Sequence, residues 1–212
     1  MDVYKLVSLI AIAICIAMLL FQLLRLISAG NPVDYSKPSG SIRDGVIYSF
    51  TSAMSPFEKE SAFMHLPTYV AGIIFHIGTF LSFPVLLTLI IYPKVFIESA
   101  LLSSLGGVVF SAGAICGLAI LIKRIVKKEL RSISGADDYI SNAVTTVAQA
   151  LSAFVLLTGG GYPLYYIAFS IFLIWIPIGK TRHLLYFFYA RYHLGAFYGR
   201  RGTWPVNRNI NE

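Results

Sequence analysis

Charged residues are scarce in this sequence. Only 13% of its 212 residues are Asp, Glu, Lys or Arg, whereas a soluble domain of ordinary composition carries about 25%. Hydrophobic residues make up 57% of the chain, and its mean hydropathy is +0.72. Few charges combined with long uncharged runs are typical of integral membrane proteins. The composition therefore predicts a membrane protein and argues against a soluble domain.

Cysteine and catalytic motifs are scarce too. Cys15 and Cys116 each lie alone in an apolar run, and the lack of a C-x-x-C pair excludes a four-cysteine iron–sulfur site and a c-type haem attachment. Both thiols are expected to be buried and to pack as small hydrophobic groups. The sequence also has no nucleophile–base pair or carboxylate dyad in its apolar runs, no phosphate-binding loop after a strand and no nucleic-acid motif. Hydrolytic chemistry and nucleic-acid binding are therefore poor explanations of this chain.

Apolar runs of about 20 residues predict an all-α membrane protein with five transmembrane helices. The predicted spans are residues 5–27, 68–92, 97–122, 138–158 and 163–183. A secretory signal peptide is the alternative for the first span, but its apolar core is too long and its positive charge is at the wrong end. Residues 1–200 are expected to form one membrane domain and residues 201–212 a polar C-terminal tail. The stretch "LLYFFYARYHLGAFYGRRG", 184–202, predicts an amphipathic helix along the membrane interface.

The distribution of basic residues predicts the orientation. The stretch "KRIVKKELR", 123–131, carries five basic residues and one acidic residue, and the tail after the fifth span is basic as well. Because Lys and Arg accumulate in cytoplasmic loops, both segments are expected inside, as is the connection 28–67. With five spans, the N-terminus is then outside and the C-terminus cytoplasmic. The expected location is the inner (cytoplasmic) cell membrane, in contact with lipid.

Histidine is rare, with four residues in the chain, and one of them lies well inside a predicted span. His76 belongs to "GIIFHIGTFLSF", 72–83. A neutral imidazole in hydrocarbon is costly unless its nitrogens find partners. A haem iron would satisfy one nitrogen, and a backbone carbonyl or hydroxyl the other. His183 closes the antiparallel fifth span at a matching depth, so His76 and His183 are predicted to be the axial ligands of a b-type haem.

Small residues flank His76. Gly72 lies one helical turn before it and Gly78 two residues after it, and both are expected to leave room for a flat macrocycle. Close helix packing is the alternative for these two glycines, and it is the role expected of the glycines in the third span, Gly106, Gly113 and Gly117.

Cations surround His183. Lys180, Arg182 and Arg191 are predicted to meet the haem propionates, and Arg43 could approach from the first inside connection. The alternative is that they serve only as positive-inside charges. The sequence does not separate these two roles.

The other two histidines raise the question of a second haem. His65 precedes His76 by eleven residues, and His193 follows His183 by ten. A second bis-histidine site between them would lie nearer the cytoplasm. Pro67 is predicted to interrupt the helix between His65 and His76, which favours the alternative that His65 and His193 are interfacial or partner-contacting side chains.

Two short motifs resemble a known family. "FHIG", 75–78, and "PIGKTRH", 177–183, resemble the cytochrome b subunit of respiratory nitrate reductase (its gamma subunit) and the related membrane subunits of heterodisulfide reductase-like complexes. The resemblance implies five helices with a haem b held by His76 and His183. It also implies electron exchange between menaquinone or menaquinol and a cytoplasmic-side iron–sulfur subunit.

The sequence departs from that family at the second, outer haem. The regions where its ligands would lie read "PVLLTL", 84–89, and "PLYYIAF", 163–169, and contain no histidine. The expected function is therefore a one-haem electron-transfer subunit of a respiratory oxidoreductase, either non-catalytic or quinone-reactive. A haem-free membrane anchor of a multi-subunit complex is the main alternative. A small transporter is a third, although such proteins usually keep ionisable residues deep in their spans.

Overall fold

The chain folds into helices. A computed structural model describes residues 2–30, 34–58 and 60–206, and within these ranges it contains α-helices and short 3-10 helices but no strand. The α-helices, in chain order, are α1 Val3–Ser28, α2 Ile42–Phe50, α3 Glu60–Met64, α4 Leu66–Ile91, α5 Lys94–Ile97, α6 Ala100–Val126, α7 Lys128–Ser132, α8 Ala136–Thr158, α9 Tyr162–Trp175 and α10 His183–Arg200.

Four of these helices are long and apolar enough to cross a membrane by themselves, namely α1, α4, α6 and α8. A fifth span is possible if α9 and the segment Lys180–Arg200 count as one interrupted crossing. An all-helical protein with four or five helices able to cross a membrane is thus confirmed. The orientation and the kind of membrane stay predictions.

The predicted end of the fifth span is wrong. α9 ends at Trp175, and His183 is the first residue of α10 instead of the last residue of a span. Pro177 gives the physical reason, because its ring has no N–H and clashes with the preceding helical turn. A 3-10 turn, Lys180–Arg182, connects the two helices.

The connection 28–67 also differs from the prediction, since it contains α2, a 3-10 helix at Ser52–Met54 and α3. The Ser41 hydroxyl caps α2 by accepting a hydrogen bond from the Asp44 N–H at 3.3 Å. The predicted separation of His65 from the helix of His76 is present, since α4 begins after His65, but Pro67 does not interrupt α4 itself. It is the second residue of α4, where a backbone N–H has no intrahelical acceptor in any case.

The chain divides into two compact units. The first comprises Met1–Leu19 and Pro67–Thr181, and the second comprises Leu20–Leu66 and Arg182–Glu212. Of the predicted tail 201–212, residues 207–212 lie outside the described part of the chain.

In the first unit, α6, α8 and α9 pack closely through small residues and aromatic rings. A Cβ added to Gly106 would meet Leu156, and one added to Gly117 would meet the Phe75 ring and the Thr146 hydroxyl. Phe110 is fully buried against Ala153 and Leu156. The predicted packing role of the third-span glycines is therefore confirmed.

The C-terminal end of α4 is fixed by a tyrosine. The carbonyl of Leu89 would receive the N–H four residues later in a continuing helix, but that residue is Pro93, which has none. The Tyr166 hydroxyl of α9 donates a hydrogen bond to this carbonyl at 3.0 Å. An unpaired carbonyl in an apolar environment is costly, so this bond stabilises the docking of α9 on α4.

In the second unit, α2 and α10 pack through small residues at four-residue spacing. Ser41, Gly45 and Ser49 line one face of α2, and Gly195 and Gly199 line one face of α10. A Cβ on Gly45 would overlap the backbone of Gly195 and Gly199. The Ser49 hydroxyl donates to the Arg191 carbonyl at 2.8 Å. The two backbones can approach this closely only because the contact positions lack large side chains.

An ion cluster holds residues 34–36 and 200–201 of the second unit together. The Arg201 Nη2 lies 3.0 Å from Asp34 Oδ1, and the Arg200 Nε lies 3.8 Å from Asp34 Oδ2. The Ser36 hydroxyl donates to Asp34 at 2.7 Å. The hydroxyl and the N–H of Ser36, together with the two arginines, hold the pKa of Asp34 below its usual range.

Substituting Gly45 by Ala is expected to destabilise the second unit by about 1–3 kcal/mol, since the methyl group would overlap the α10 backbone. This loss should exceed the stability of roughly 1 kcal/mol that a helix gains when Ala replaces Gly in its interior. Trp204 packs against Tyr48 and Tyr198, so its fluorescence in a Trp175→Phe background reports unfolding of this unit. Arg43→Ala, at an exposed position of the same helix, is the control. Equal stability of both variants would contradict the packing argument.

Asp34→Asn is expected to reduce the pH dependence of stability. A depressed folded-state pKa contributes stability above the unfolded pKa of about 3.9, and this contribution is lost as the pH falls through the lower folded value. The variant should therefore be less stable at neutral pH and should lose less on acidification to about pH 3. Denaturation followed by Trp204 fluorescence measures both effects. Asp44→Asn, on the exposed surface of α2, should behave like the unsubstituted protein.

Candidate haem-ligand site

His76 lies on an exposed side of α4 in the first unit. Its Nδ1 is 2.7 Å from the Gly72 carbonyl oxygen. Because a carbonyl can only accept a hydrogen bond, Nδ1 carries the hydrogen, and the neutral ring has its lone pair on Nε2. A metal-binding histidine commonly has this arrangement, in which a backbone carbonyl orients the ring.

The two glycines beside His76 have different surroundings. Apart from the neighbouring backbone of α4 itself, no heavy atom lies within 4 Å of the position that a Cβ on Gly72 would occupy. The space predicted at Gly78 is not present, because the Gln149 side chain and the Gly113 backbone fill it. Close helix packing is therefore the role of Gly78. The rings of Phe75 and Phe80 lie 6.3 and 6.5 Å from the imidazole, between centroids.

His183, the predicted second ligand, lies in the second unit at the start of α10 and is exposed. Arg182 precedes it, is also exposed and has its guanidinium 6.0 Å from the Tyr186 ring centroid. Because His76 and His183 belong to different units, their pairing across one iron stays a prediction.

Lys180, a predicted propionate partner, already has an acidic partner. Its Nζ lies 2.6 Å from Asp138 Oδ2, and Arg124 lies 3.5 Å from the other oxygen of the same carboxylate. The Lys180 N–H also donates to Asp137 at 2.9 Å. These contacts connect the N-terminal end of α8 to the C-terminal end of α6 and to the 3-10 turn that follows α9. A structural role therefore accounts for the charge of Lys180.

Arg191 has a different environment in the second unit. Its Nε and Nη2 atoms, which form one edge of the guanidinium, are buried and have no hydrogen-bond acceptor among the described residues. The ring centroid of Phe187 lies 5.9 Å from the guanidinium carbon. Two parallel N–H donors on one edge of an arginine match the two oxygens of a carboxylate. Of the predicted propionate partners, Arg191 therefore fits best.

The residues of the predicted second haem both lie in the second unit. His65 is exposed in the junction between α3 and α4. His193 is partly buried on α10, with its ring centroid 4.2 Å from Tyr189 and 5.3 Å from Tyr192. The second bis-histidine site stays a prediction.

Other metal ligands are not assembled in the described ranges, 2–30, 34–58 and 60–206, where no group of three or more His, Cys, Asp or Glu side chains could hold an ion. A two-histidine haem site is not such a group. Of the two cysteines, Cys15 is buried as predicted, whereas Cys116 is only partly buried.

Sequence reasoning missed Gln149. This residue of α8 is fully buried, and its Nε2 donates hydrogen bonds to the Phe75 carbonyl and the Thr79 hydroxyl, on either side of His76. The available signal was a single amide in the middle of an apolar run. Such a group needs partners inside the protein.

Comparison with known proteins gives no match: no protein-family model, no curated protein and no solved structure is similar to this chain. The resemblance to the nitrate reductase subunit therefore depends on the two short motifs alone.

Proposed function

We propose that this protein is a haem b electron-transfer subunit of a membrane-bound oxidoreductase complex. It would pass electrons between menaquinone or menaquinol and an iron–sulfur subunit on the cytoplasmic side. His76 is the axial ligand whose surroundings support the proposal most directly, and His183 is the second ligand that the resemblance supplies. The observation that supports the proposal is the hydrogen bond from Nδ1 to the Gly72 carbonyl, because it orients the imidazole as in many metal-binding histidines.

The residues of the first unit fit a flat, apolar cofactor. Gly72 leaves open space one turn from His76, and the exposed neighbours of His76 on α4 are apolar, including Ile73, Ile77 and Phe80. A bound haem supplies one-electron redox chemistry. The protein residues orient the imidazole and present an apolar surface that keeps water away from it.

Arg191 would hold a propionate. Its buried Nε and Nη2 donors lack an acceptor, and a charge-assisted pair of hydrogen bonds to a carboxylate would satisfy both. Lys180 contributes less, because Asp138 and Asp137 already occupy its ammonium and N–H groups. Arg182, exposed beside His183, stays a predicted propionate partner.

The purified protein is expected to show the α band of a low-spin b haem in a dithionite-reduced minus oxidised spectrum. His76→Ala and His183→Ala should each abolish the band, because either change removes an axial ligand. His76→Met should retain haem with a higher midpoint potential, since a thioether ligand raises it. Pyridine haemochromogen quantitation should give one haem per chain.

His65→Ala is the matched control for these substitutions and should keep the full band. Two haems per chain, with one lost in His65→Ala, would establish the second bis-histidine site. A protein that contains no haem after purification and after reconstitution with haemin would contradict the proposal and would support the haem-free membrane anchor.

Arg191→Gln is expected to weaken haem retention by at least about tenfold, because each charge-assisted hydrogen bond contributes about 1.5–3 kcal/mol. It should also lower the midpoint potential, since a nearby positive charge favours the reduced haem. Haem transfer to apomyoglobin and a redox titration measure the two effects. Arg131→Gln, at an exposed position after α6, is the control. Unchanged haem retention in Arg191→Gln would exclude the carboxylate contact.

A further inference from the structure

We propose that Gln149 is a positioning residue that fixes the rotation of α4 about its axis and thereby turns His76 outward. The effect of Gln149 on a haem rests on the proposed function. Its effect on the orientation of residue 76 can be tested without haem. Gln149 has no exposed surface, and it lies within a helix long and apolar enough to cross a membrane. An amide at such a place is costly unless the protein supplies partners.

The partners of Gln149 lie on α4. Its Nε2 donates to the Phe75 carbonyl at 3.0 Å and to the Thr79 hydroxyl at 2.8 Å. The Thr79 hydroxyl itself donates to the Phe75 carbonyl at 2.8 Å. One amide therefore contacts α4 at the residue before His76 and at the residue three positions after it.

The amide oxygen of Gln149 lies between two glycines, in space that side chains at those positions would fill. It occupies the space that a Cβ would take on Gly78 of α4 and also on Gly113 of α6. It is buried and has no conventional hydrogen-bond donor in the described part of the chain. Cα–H groups of glycine are weak donors that can face such an oxygen. Any larger residue at either position would displace the side chain of Gln149.

Helix geometry connects this contact to His76. Successive residues of an α-helix are rotated by about 100°, so Gly78 lies about 200° from His76, on nearly the opposite face. Gln149 thus contacts the inward face of α4 at the level of His76. A rotation of α4 that moved His76 inward would break both hydrogen bonds and would drive a side chain into the Gly113 backbone.

A nitroxide spin label at residue 76 tests the positioning role without haem. The label is attached to His76→Cys in a background of Cys15→Ala and Cys116→Ser, and its spectrum is recorded with and without Gln149→Met. Methionine has a similar length but cannot donate, so position 76 is expected to turn partly inward and the label to become less mobile. Thr79→Val, which removes one acceptor and disturbs packing less, should give a smaller shift in the same direction.

Tyr166→Phe is the matched control. It also removes one hydrogen bond from another helix to α4, but at Leu89, thirteen residues or about 20 Å along the helix from position 76. It should lower the thermal midpoint without changing the label spectrum. The inference is overturned if Gln149→Met and Thr79→Val leave the spectrum unchanged. An equal shift in Tyr166→Phe would also overturn it, because the effect would then be a general loosening of α4.

The haem-loaded protein gives the second readout. With His76 in place, Gln149→Met is expected to shift the midpoint potential and the electron paramagnetic resonance of the haem, whereas Tyr166→Phe should change neither. A wild-type protein that binds no haem would refute the proposed function, while the spin-label result would still decide the role of Gln149. A label shift without a haem shift would refute the link between Gln149 and the redox site.

Discussion

Every polar group inside an apolar span must find its partner within the protein, and this constraint explains much of the structure. Several hydroxyls in the spans meet it locally by donating to the carbonyl four residues earlier, as in Thr88, Thr145 and Ser152. The Leu89 carbonyl finds its partner in the Tyr166 hydroxyl, which donates a hydrogen bond to it. Once these groups are accounted for, Gln149 stands out, because its amide is satisfied by another helix and not by its own.

The glycines divide into two kinds, according to whether other atoms of the protein occupy the space where a side chain would lie. At Gly45, Gly113, Gly195 and Gly199, the missing side chain lets backbone or an amide approach closely, and the packing gained offsets the low helix propensity. Gly72 gains nothing of this sort, since the space around it is open. A glycine in the interior of a helix costs about 1 kcal/mol relative to Ala. The open space next to His76 is the space that the proposed haem would occupy.

The spans could be predicted from sequence because hydrocarbon length sets a strong requirement on apolar runs. The predicted and observed ends of the spans at α1, α4 and α8 agree within two residues. What could not be predicted depended on contacts between distant segments. The helix α2, "IRDGVIYSF", is short and not strongly apolar, and the face it presents to α10 consists of Ser and Gly. Likewise, the sequence contains Pro177, but the apolar run continues past it and therefore favoured one uninterrupted span, whereas α9 ends at Trp175.

For the candidate site, the sequence identified His76 and Gly72 but could not give their direction. The part of α4 around His76 is apolar on all sides, so its hydrophobic pattern does not distinguish an inward face from an outward one. The distinction comes from Gln149, more than seventy residues later. Its amide can be satisfied in only one rotational setting of α4, and the same setting places Gly78 against Gly113 and His76 outside. A buried amide in a neighbouring span therefore does what an amphipathic pattern does in a soluble helix, which is to define the inner face.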